Sequence, residues 1–209
     1  MNTIDKMIEK IEKSIICSEN KETKLSDKAF LIEGMSGAKN RIFLNSVMEL
    51  EHSKYLEIGT WKGSTFYAAL FNNTSDYTVA IDNWSLFGGP QKEFFENLSD
   101  IKVKYDFYDI DCFSIDKSIF KHKFDIYFYD GEHDQEDQKK ALTYYKDCME
   151  DNFIYICDDW NFEKVQKGTR DGLKEGNIKI HKEWVLGNKD SYADSSNWWN
   201  SIYVAVCSR

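Results

Sequence analysis

The sequence predicts an α/β protein: a doubly wound, mostly parallel sheet of seven strands, with an antiparallel terminal strand and an N-terminal helical extension. Three observations support this fold. From residue 54 onward, short apolar runs bounded by turns alternate with helix-length segments, the pattern of a parallel sheet covered by helices on both faces. A turn containing glycines follows the first run. No helix-length segment separates the last two runs, so these strands are predicted to pair antiparallel at one edge.

Each strand is predicted from a short apolar or alternating run. The third alternates apolar and polar residues, which predicts a strand with one buried side, whereas the fourth is almost continuously apolar. The predicted strands are Tyr55–Ile58, Tyr77–Ile81, Ile101–Phe107, Phe124–Tyr129, Phe153–Cys157, Ile178–Leu186 and Ser201–Cys207. Helices are predicted at Ser64–Phe71, Gln91–Leu98 and Gln135–Met149, and Phe162–Glu175 is predicted to be helical or irregular.

Residues 1–53 are predicted to be a helical extension of a domain formed by residues 54–209. Within Met1–Ser18 the apolar residues recur at helical spacing, which predicts an amphipathic helix that covers either its own domain or a partner subunit. The other helices predicted here are a short one capped by Ser26 and ending at Ile32, and a longer one, Ala38–Leu50, capped by Ser36.

The composition excludes several classes of protein. The 209 residues hold no stretch long and uncharged enough to cross a bilayer, and the charged first segment is unlike a signal peptide. A formal net charge of −9 disfavours a nucleic-acid backbone as partner. Five cysteines without metal-binding spacing predict reduced thiols in a cytoplasmic protein. We therefore expect a small-molecule substrate, neither nucleic acid nor membrane as partner, and the N-terminal helices as a candidate surface for a homo-oligomer.

The segment Lys54–Leu70 combines a strand, a tight turn with glycines at Gly59 and Gly63, and the start of a helix. Such a turn exposes backbone N–H groups at the positive end of the helix dipole. Glu57, just before the turn, is predicted to place a carboxylate beside a ligand held there. Trp61 occupies the middle glycine position of the dinucleotide fingerprint, so the turn predicts a different nucleotide-type cradle. A strand–helix turn that needs glycine only for its geometry is the alternative.

Acidic residues follow the later strands, at the edge of the sheet where ligands bind in folds of this type. Asp82 ends the second strand and is suited to bind the two hydroxyls of a ribose, with a turn or helix cap as its alternative role. Asp111 and Asp109 follow the third strand. Either could accept from an adenine amino group, and stabilisation of the turn is the alternative for both.

Three aspartates follow the fourth and fifth strands, which are predicted to be neighbours. Asp130, Asp158 and Asp159 would repel one another unless a cation lies among them, and carboxylate oxygens favour Mg²⁺ or a similar divalent ion. Capping of the next helix is the alternative for Asp158 and Asp159. His133 lies on a loop at the same edge and is predicted either to take a proton from a substrate hydroxyl or to cap the following helix.

With these residues in place, the stretch Lys54–Arg209 resembles the class I S-adenosylmethionine-dependent methyltransferases. More narrowly, it is similar to the macrocin O-methyltransferase group, which is distantly similar to catechol-type O-methyltransferases. The resemblance lies in four phrases: Tyr55-Leu-Glu-Ile-Gly-Thr-Trp-Lys-Gly-Ser-Thr, Ala80-Ile-Asp-Asn-Trp, Phe124-Asp-Ile-Tyr-Phe-Tyr-Asp-Gly-Glu-His and Ile156-Cys-Asp-Asp-Trp.

The resemblance implies a Rossmann-like methyltransferase fold, S-adenosylmethionine as cofactor, Mg²⁺ or a similar divalent cation, and methylation of a substrate hydroxyl. The cofactor-binding residues that it implies are Glu57, Gly59, Thr60, Gly63 and Ser64 around the methionine part, Asp82 at the ribose, Asp111 near the adenine, and Asp130. The metal ligands that it implies are Asp130, Asp158 and Asp159, with His133 as the base. The segment Glu33 to Gly37 resembles a lid-like stretch that folds over the cofactor in the macrocin-type branch.

Two other functions are compatible with the predicted fold. The first is a non-catalytic module that binds the cofactor or a nucleotide and docks through its N-terminal helix. The second is a dinucleotide-dependent oxidoreductase, which Trp61 and the antiparallel terminal strands disfavour. The sequence does not choose between a sugar-like and a catechol-like acceptor. The tryptophans predicted either to wall the cavity or to pack at its rim are Trp84, Trp160, Trp198 and Trp199.

Overall fold

A seven-stranded sheet forms the centre of the protein, for which a computed structural model describes residues 2–209, the side chain of Lys189 excepted. The strand order is β3-β2-β1-β4-β5-β7-β6. The first five strands in this order are parallel, and β7 runs antiparallel to both of its neighbours. The predicted fold class is therefore confirmed, including the antiparallel pair at one edge. The strands are β1 (Lys54–Ile58), β2 (Tyr77–Ile81), β3 (Asp106–Tyr108), β4 (Phe124–Tyr129), β5 (Met149–Cys157), β6 (Lys179–Leu186) and β7 (Ile202–Ser208).

Helices cover both faces of the sheet. On one face Met7 and Ile11 of the first helix share a core with Phe43 of the third helix and with Ile126 of the sheet. The amphipathic N-terminal helix therefore covers its own domain. The last two helices cover the opposite face, where Leu142 and Val165 are buried. The helices are α1 (Thr3–Asn20), α2 (Asp27–Leu31), α3 (Ala38–Val47), α4 (Ser64–Leu70), α5 (Gln91–Asn97), α6 (Gln135–Tyr145) and α7 (Glu163–Glu175). Between residues 2 and 209, none of them has both the length and the apolar character needed to cross a bilayer.

The strand predicted at Ile101–Phe107 is shorter than expected. Only Asp106–Tyr108 pairs with β2, opposite Val79–Ile81. Tyr105 nevertheless packs against the aromatic core, with its ring edge-on to Phe66 at 5.4 Å between centroids. The alternating pattern correctly identified the buried side of this segment, but burial of alternate side chains does not require ladder hydrogen bonds.

The predicted capping role of Ser36 is wrong. Helix α3 begins after Gly37 and receives no side-chain cap, and it ends at Val47 rather than at Leu50. The Ser36 hydroxyl instead accepts a hydrogen bond from Nε of Arg41, at 2.9 Å. Ser26 does precede α2 as predicted, although its hydroxyl makes no capping hydrogen bond.

Candidate functional site

Strand register aligns the ends of β2, β1, β4 and β5 at one edge of the sheet. Ile58 is opposite both Ile81 and Tyr129, and Tyr129 is opposite Cys157. Backbone hydrogen bonds continue one residue beyond each strand, from Gly59 N to Ile81 O at 3.0 Å, from Asp130 N to Ile58 O at 2.8 Å and from Asp158 N to Tyr129 O at 3.1 Å. The predicted turn and the predicted acidic residues are therefore neighbours.

The turn after β1 requires glycine at Gly59. This residue has φ +84°, and a Cβ atom there would lie 1.8 Å from the backbone oxygen of Asp130. Gly63 also has positive φ, +82°, and its N–H donates to the Thr60 carbonyl at 2.6 Å. The Thr60 hydroxyl is buried without a hydrogen-bond partner among residues 2–209. A buried polar atom without a partner costs free energy, so this hydroxyl is a candidate for contact with a ligand.

The Trp61 side chain contacts the loop after β2. Its indole N–H donates to the Phe87 carbonyl at 3.3 Å, and the two rings meet edge-on. The backbone of Trp61 has φ +43°, an uncommon conformation for a non-glycine residue. The bulkier residue at the middle glycine position is thus accommodated by contacts with the loop after β2.

Asp82 connects the turn to the end of β2. One carboxylate oxygen accepts from the backbone N–H of Trp61 and the other from that of Trp84, each at 2.7 Å. The turn-stabilising role that was the alternative for Asp82 is therefore present in the structure. Because each carboxylate oxygen can accept a second hydrogen bond, this role leaves capacity for the ribose hydroxyls.

Glu57 lies beneath the turn and is fully buried. Its two oxygens accept hydrogen bonds from the Tyr55 hydroxyl at 2.5 Å and from the Thr65 hydroxyl at 2.7 Å. Burial raises the pKa of Glu57 to about 8, despite these two bonds, which act in the opposite direction. The Glu57 carboxyl group therefore supports the turn from inside the protein. The backbone of the turn, which lies above this carboxyl group, is the part that we expect beside a ligand.

The three aspartates converge with His133. The Nε2 atom of His133 lies 3.2 Å from Asp159 Oδ2 and 3.6 Å from Asp130 Oδ1. Asp159 Oδ1 accepts from the side-chain amide of Asn200 at 2.6 Å. Oδ1 of Asp158 is buried and has no partner among residues 2–209. The predicted capping role of Asp158 and Asp159 is absent, because α7 begins after Phe162.

Burial and mutual repulsion act on these carboxyl groups. Burial, followed by the charges of Asp158 and Asp159, raises the pKa of Asp130 well above its usual range. Burial, followed by the charge of Asp159, does the same to the pKa of Asp158. Within residues 2–209, no group of three or more His, Cys, Asp or Glu side chains is arranged so that it could hold a metal ion. The metal site stays a prediction, which is supported by the carboxylate chemistry of the three aspartates and by the unpartnered buried oxygen of Asp158.

His133 is free of the capping role that was its alternative. The N-cap of α6 is Asp134, whose side chain accepts from the backbone N–H groups of Glu136 and Asp137. The His133 ring is about one-third exposed, and its Nδ1 lies 3.3 Å from the side-chain amide nitrogen of Gln138. The imidazole is thus held between an amide and the carboxylates.

The remaining predicted residues have local partners. Asp111 stabilises its own turn by accepting from the Ser114 hydroxyl at 2.5 Å, and Asp109 accepts from the Gln91 amide at 3.2 Å. Three of the four tryptophans pack in the interior: Trp84 stacks on Phe107, Trp160 stacks on Tyr203, and Trp198 packs against Phe43. All three are buried, and their roles at the wall or the rim of a cavity stay predictions. Trp199 is only partly buried.

The segment Glu33 to Gly37 contacts the start of α4. The Ser36 and Ser64 hydroxyls lie 3.1 Å apart, and Lys62 forms an ion pair with Glu33 at 2.7 Å. The sequence did not indicate the buried Arg41, whose Nε donates to the Ser36 hydroxyl. The one sign of it in the sequence is an arginine close to the apolar positions of a predicted helix. Helical periodicity alone assigns such a charged residue to the solvent-exposed face.

The comparisons with known proteins identify the fold. Neither a protein-family model nor a curated protein sequence matches the chain. Among solved structures, an O-methyltransferase from Bacillus cereus in complex with SAH is similar with a TM-score of 0.62 and 12% identity, over 96% of this chain and 99% of that one. A putative RNA methyltransferase from Pyrococcus horikoshii gives a TM-score of 0.55 at 13% identity, over 100% and 98% of the two chains.

A third similar structure is TrmK from M. capricolum in complex with S-adenosyl-homocysteine, with a TM-score of 0.55 and 15% identity over 79% of this chain and 66% of that one. The protein therefore has the fold of the class I S-adenosylmethionine-dependent methyltransferases. Identities this low establish the fold alone.

Proposed function

We propose that this protein is an S-adenosylmethionine-dependent O-methyltransferase that acts on a hydroxyl group of a small molecule. The observation that carries the proposal is the register that places the Gly59 turn beside three converging aspartates and His133. The turn suits a nucleoside cofactor, and the carboxylate–imidazole group suits removal of a proton from a hydroxyl. The neighbouring folds support the same cofactor, since two were solved with S-adenosylhomocysteine.

The cofactor would lie against the turn with its methionine part near Gly59, Thr60, Gly63 and Ser64 and with Glu57 beneath. The unpartnered Thr60 hydroxyl supports this position. In the same arrangement the ribose hydroxyls would donate hydrogen bonds to the Asp82 carboxylate, and the adenine would lie near Asp111. The backbone of the turn would form the main contact with the cofactor, because Asp82 and Glu57 fix the turn and the start of the following helix.

A divalent cation such as Mg²⁺ would be held by Asp130, Asp158 and Asp159. When bound, such a cation lowers the pKa of an acceptor hydroxyl and orients a neighbouring pair of oxygens. Asn200 orients Asp159 through its side-chain amide, and Asp158 carries the unpartnered oxygen that such a ligand would use. Two adjacent hydroxyls on a sugar-like or catechol-like acceptor would suit this set of residues.

His133 would accept the proton of the acceptor hydroxyl. Attack of the oxygen on the sulfonium methyl group would form the O–CH₃ bond and break the S–CH₃ bond, with S-adenosylhomocysteine and the protonated imidazole as products. Asp159, 3.2 Å from Nε2, would stabilise the imidazolium by its charge. Alignment of the two reactants in the closed site would supply much of the rate enhancement. These residues are the ones that the resemblance to the macrocin O-methyltransferase group implies, and we propose that the protein is similar to that group.

The proposal is tested by incubating the purified protein and Mg²⁺ with S-adenosylmethionine labelled in its methyl group and a panel of acceptors. The panel contains catechols, sugars with adjacent hydroxyls, and RNA. We expect label in a small hydroxylated acceptor. Label in RNA alone would contradict the small-molecule assignment, and cofactor binding without any product would favour the non-catalytic module.

A further inference from the structure

Arg41 of α3 is a buried charge without an acidic partner. Its side chain is 4% exposed, and none of the carboxylates described in residues 2–209 forms an ion pair with it. Burial alone lowers the pKa of this guanidinium to about 10, so the group is charged at neutral pH. Buried charges are normally paired, because an unpaired one is costly to desolvate.

The hydrogen bonds of Arg41 occupy only two of its three nitrogens. Nη1 donates to the carbonyls of Ala29 at 2.7 Å and Ile32 at 2.8 Å, and Nε donates to the Ser36 hydroxyl. Within residues 2–209, Nη2 makes no hydrogen bond. The two bonded nitrogens fix the plane of the guanidinium, which leaves the Nη2 edge in a defined position.

The Nη2 edge lies where the segment 33–37 meets the start of α4. A Cβ atom added to Gly34 would lie 3.2 Å from Nη2 and 1.9 Å from the Ser64 hydroxyl oxygen. The segment is held on its other side as well, because a Cβ atom on Gly37 would lie 2.0 Å from the Asn197 carbonyl oxygen. Arg41 and the Ser36 and Ser64 hydroxyls therefore form a rigid polar group directly after the glycine turn.

This polar group matches the one anionic group of the proposed cofactor. S-adenosylmethionine carries a sulfonium, an ammonium and a single carboxylate, and guanidinium is the side chain best suited to a carboxylate. We propose that Arg41, with the hydroxyls of Ser36 and Ser64, binds the carboxylate at the amino-acid end of S-adenosylmethionine. The assignment rests on the proposed function. It makes segment 33–37 part of the cofactor site, because the guanidinium of Arg41 packs against this segment.

The test compares two ligands that differ only in this group, S-adenosylmethionine and its decarboxylated form, by calorimetric titration. For the unaltered protein we expect S-adenosylmethionine to bind about 10- to 100-fold more tightly, as is typical of one charge-assisted contact. The net charge of −9 acts in the opposite direction, since the decarboxylated ligand is the more cationic of the two. Equal affinities for the two ligands would overturn the assignment, and this measurement needs no variant.

The substitution Arg41→Gln is expected to remove most of the preference while leaving the affinity for the decarboxylated ligand within about threefold. Lys39→Gln is the matched control, because Lys39 is on the same helix but is already paired with Glu19. It should leave the preference unchanged. If Arg41 had only a structural role, Arg41→Gln would lower the affinity for both ligands equally. That result would overturn the assignment. Should that variant fail to fold, Ser64→Ala is expected to reduce the preference partially. Failure of the unaltered protein to bind either ligand would instead refute the proposed function itself.

Discussion

Nε2 of His133 lies 3.2 Å from Oδ2 of Asp159, and the Asn200 amide holds the other oxygen of the same carboxylate. Asp159 adopts this position with φ +56°, a backbone conformation that is strained for a residue other than glycine. The second of two consecutive aspartates thus contacts the imidazole from a left-handed backbone conformation.

Replacement of His133 is expected to affect the chemical step alone. His133→Asn should lower kcat for methyl transfer by about 10²- to 10⁴-fold, the range for loss of a general base. Affinity for S-adenosylmethionine should stay within about twofold, because the ring lies beyond the turn. His52→Asn is the control, since His52 is exposed and pairs only with Asp76. Unchanged turnover in His133→Asn would refute its role as base.

Replacement of the aspartates by uncharged asparagine is expected to change the response of methyl transfer to Mg²⁺. Asp158→Asn and Asp159→Asn should each abolish stimulation of methyl transfer by divalent ions. Each substitution removes a negative charge and one oxygen ligand from the site that would hold the cation. Asp134→Asn is the matched control, since Asn also caps helices well and Asp134 caps α6. Turnover and ion dependence that survive in both variants would contradict a cation site here.

Two glycines with nearly the same φ separate the effect of strain from that of steric clash. Gly59→Ala should destabilise the protein by about 2–5 kcal/mol, because its Cβ meets the Asp130 carbonyl as well as an unfavourable backbone conformation. Gly88→Ala, at φ +85° but with nothing within 4 Å, should cost only about 1–2 kcal/mol. Urea unfolding measures both. Equal losses would show that the close approach to Asp130 is unimportant.

Glu57 is expected to make stability fall with increasing pH. Its pKa is about 8 in the folded protein, against an ordinary value of 4.5, so between these values the unfolded chain ionises first. The contribution of Glu57 is therefore complete below about pH 4.5 and declines by about 1.4 kcal/mol per pH unit up to about pH 8. Glu57→Gln should lose this slope, and urea unfolding at pH 5, 6.5 and 8 tests the difference. Parallel curves for the two proteins would contradict the buried, protonated carboxyl group.

The parts of the fold that could be predicted are those set by local pattern. The apolar runs at Tyr77–Ile81 and Phe124–Tyr129 form strands because both faces of a parallel sheet are buried. Once both strands pair with β1, one on each side of it, their register with β1 fixes the positions of Asp82 and Asp130 without any further information. The convergence of the acidic residues was thus available from the sequence as a consequence of topology.

The parts that could not be predicted depend on which side chains and backbone groups meet in the folded chain. The alternating residues before Asp106 face the core, yet the strand ladder starts only at that residue. Ser36 has the chemistry of an N-cap, but Arg41 uses its hydroxyl instead. Burial of Arg41 depends on hydrogen bonds to carbonyl groups such as that of Ala29 in α2. Burial of Glu57 depends on hydrogen bonds from the hydroxyls of Tyr55 and Thr65. Propensity and spacing carry no information about such partners.

Binding of S-adenosylmethionine to the turn after β1 is the central claim, and calorimetric titration with and without Mg²⁺ tests it most directly. We predict saturable binding of one molecule per chain under both conditions, and strong weakening in Gly59→Ala when that variant is folded. The absence of any binding heat from the unaltered protein, with and without the cation, would contradict the account.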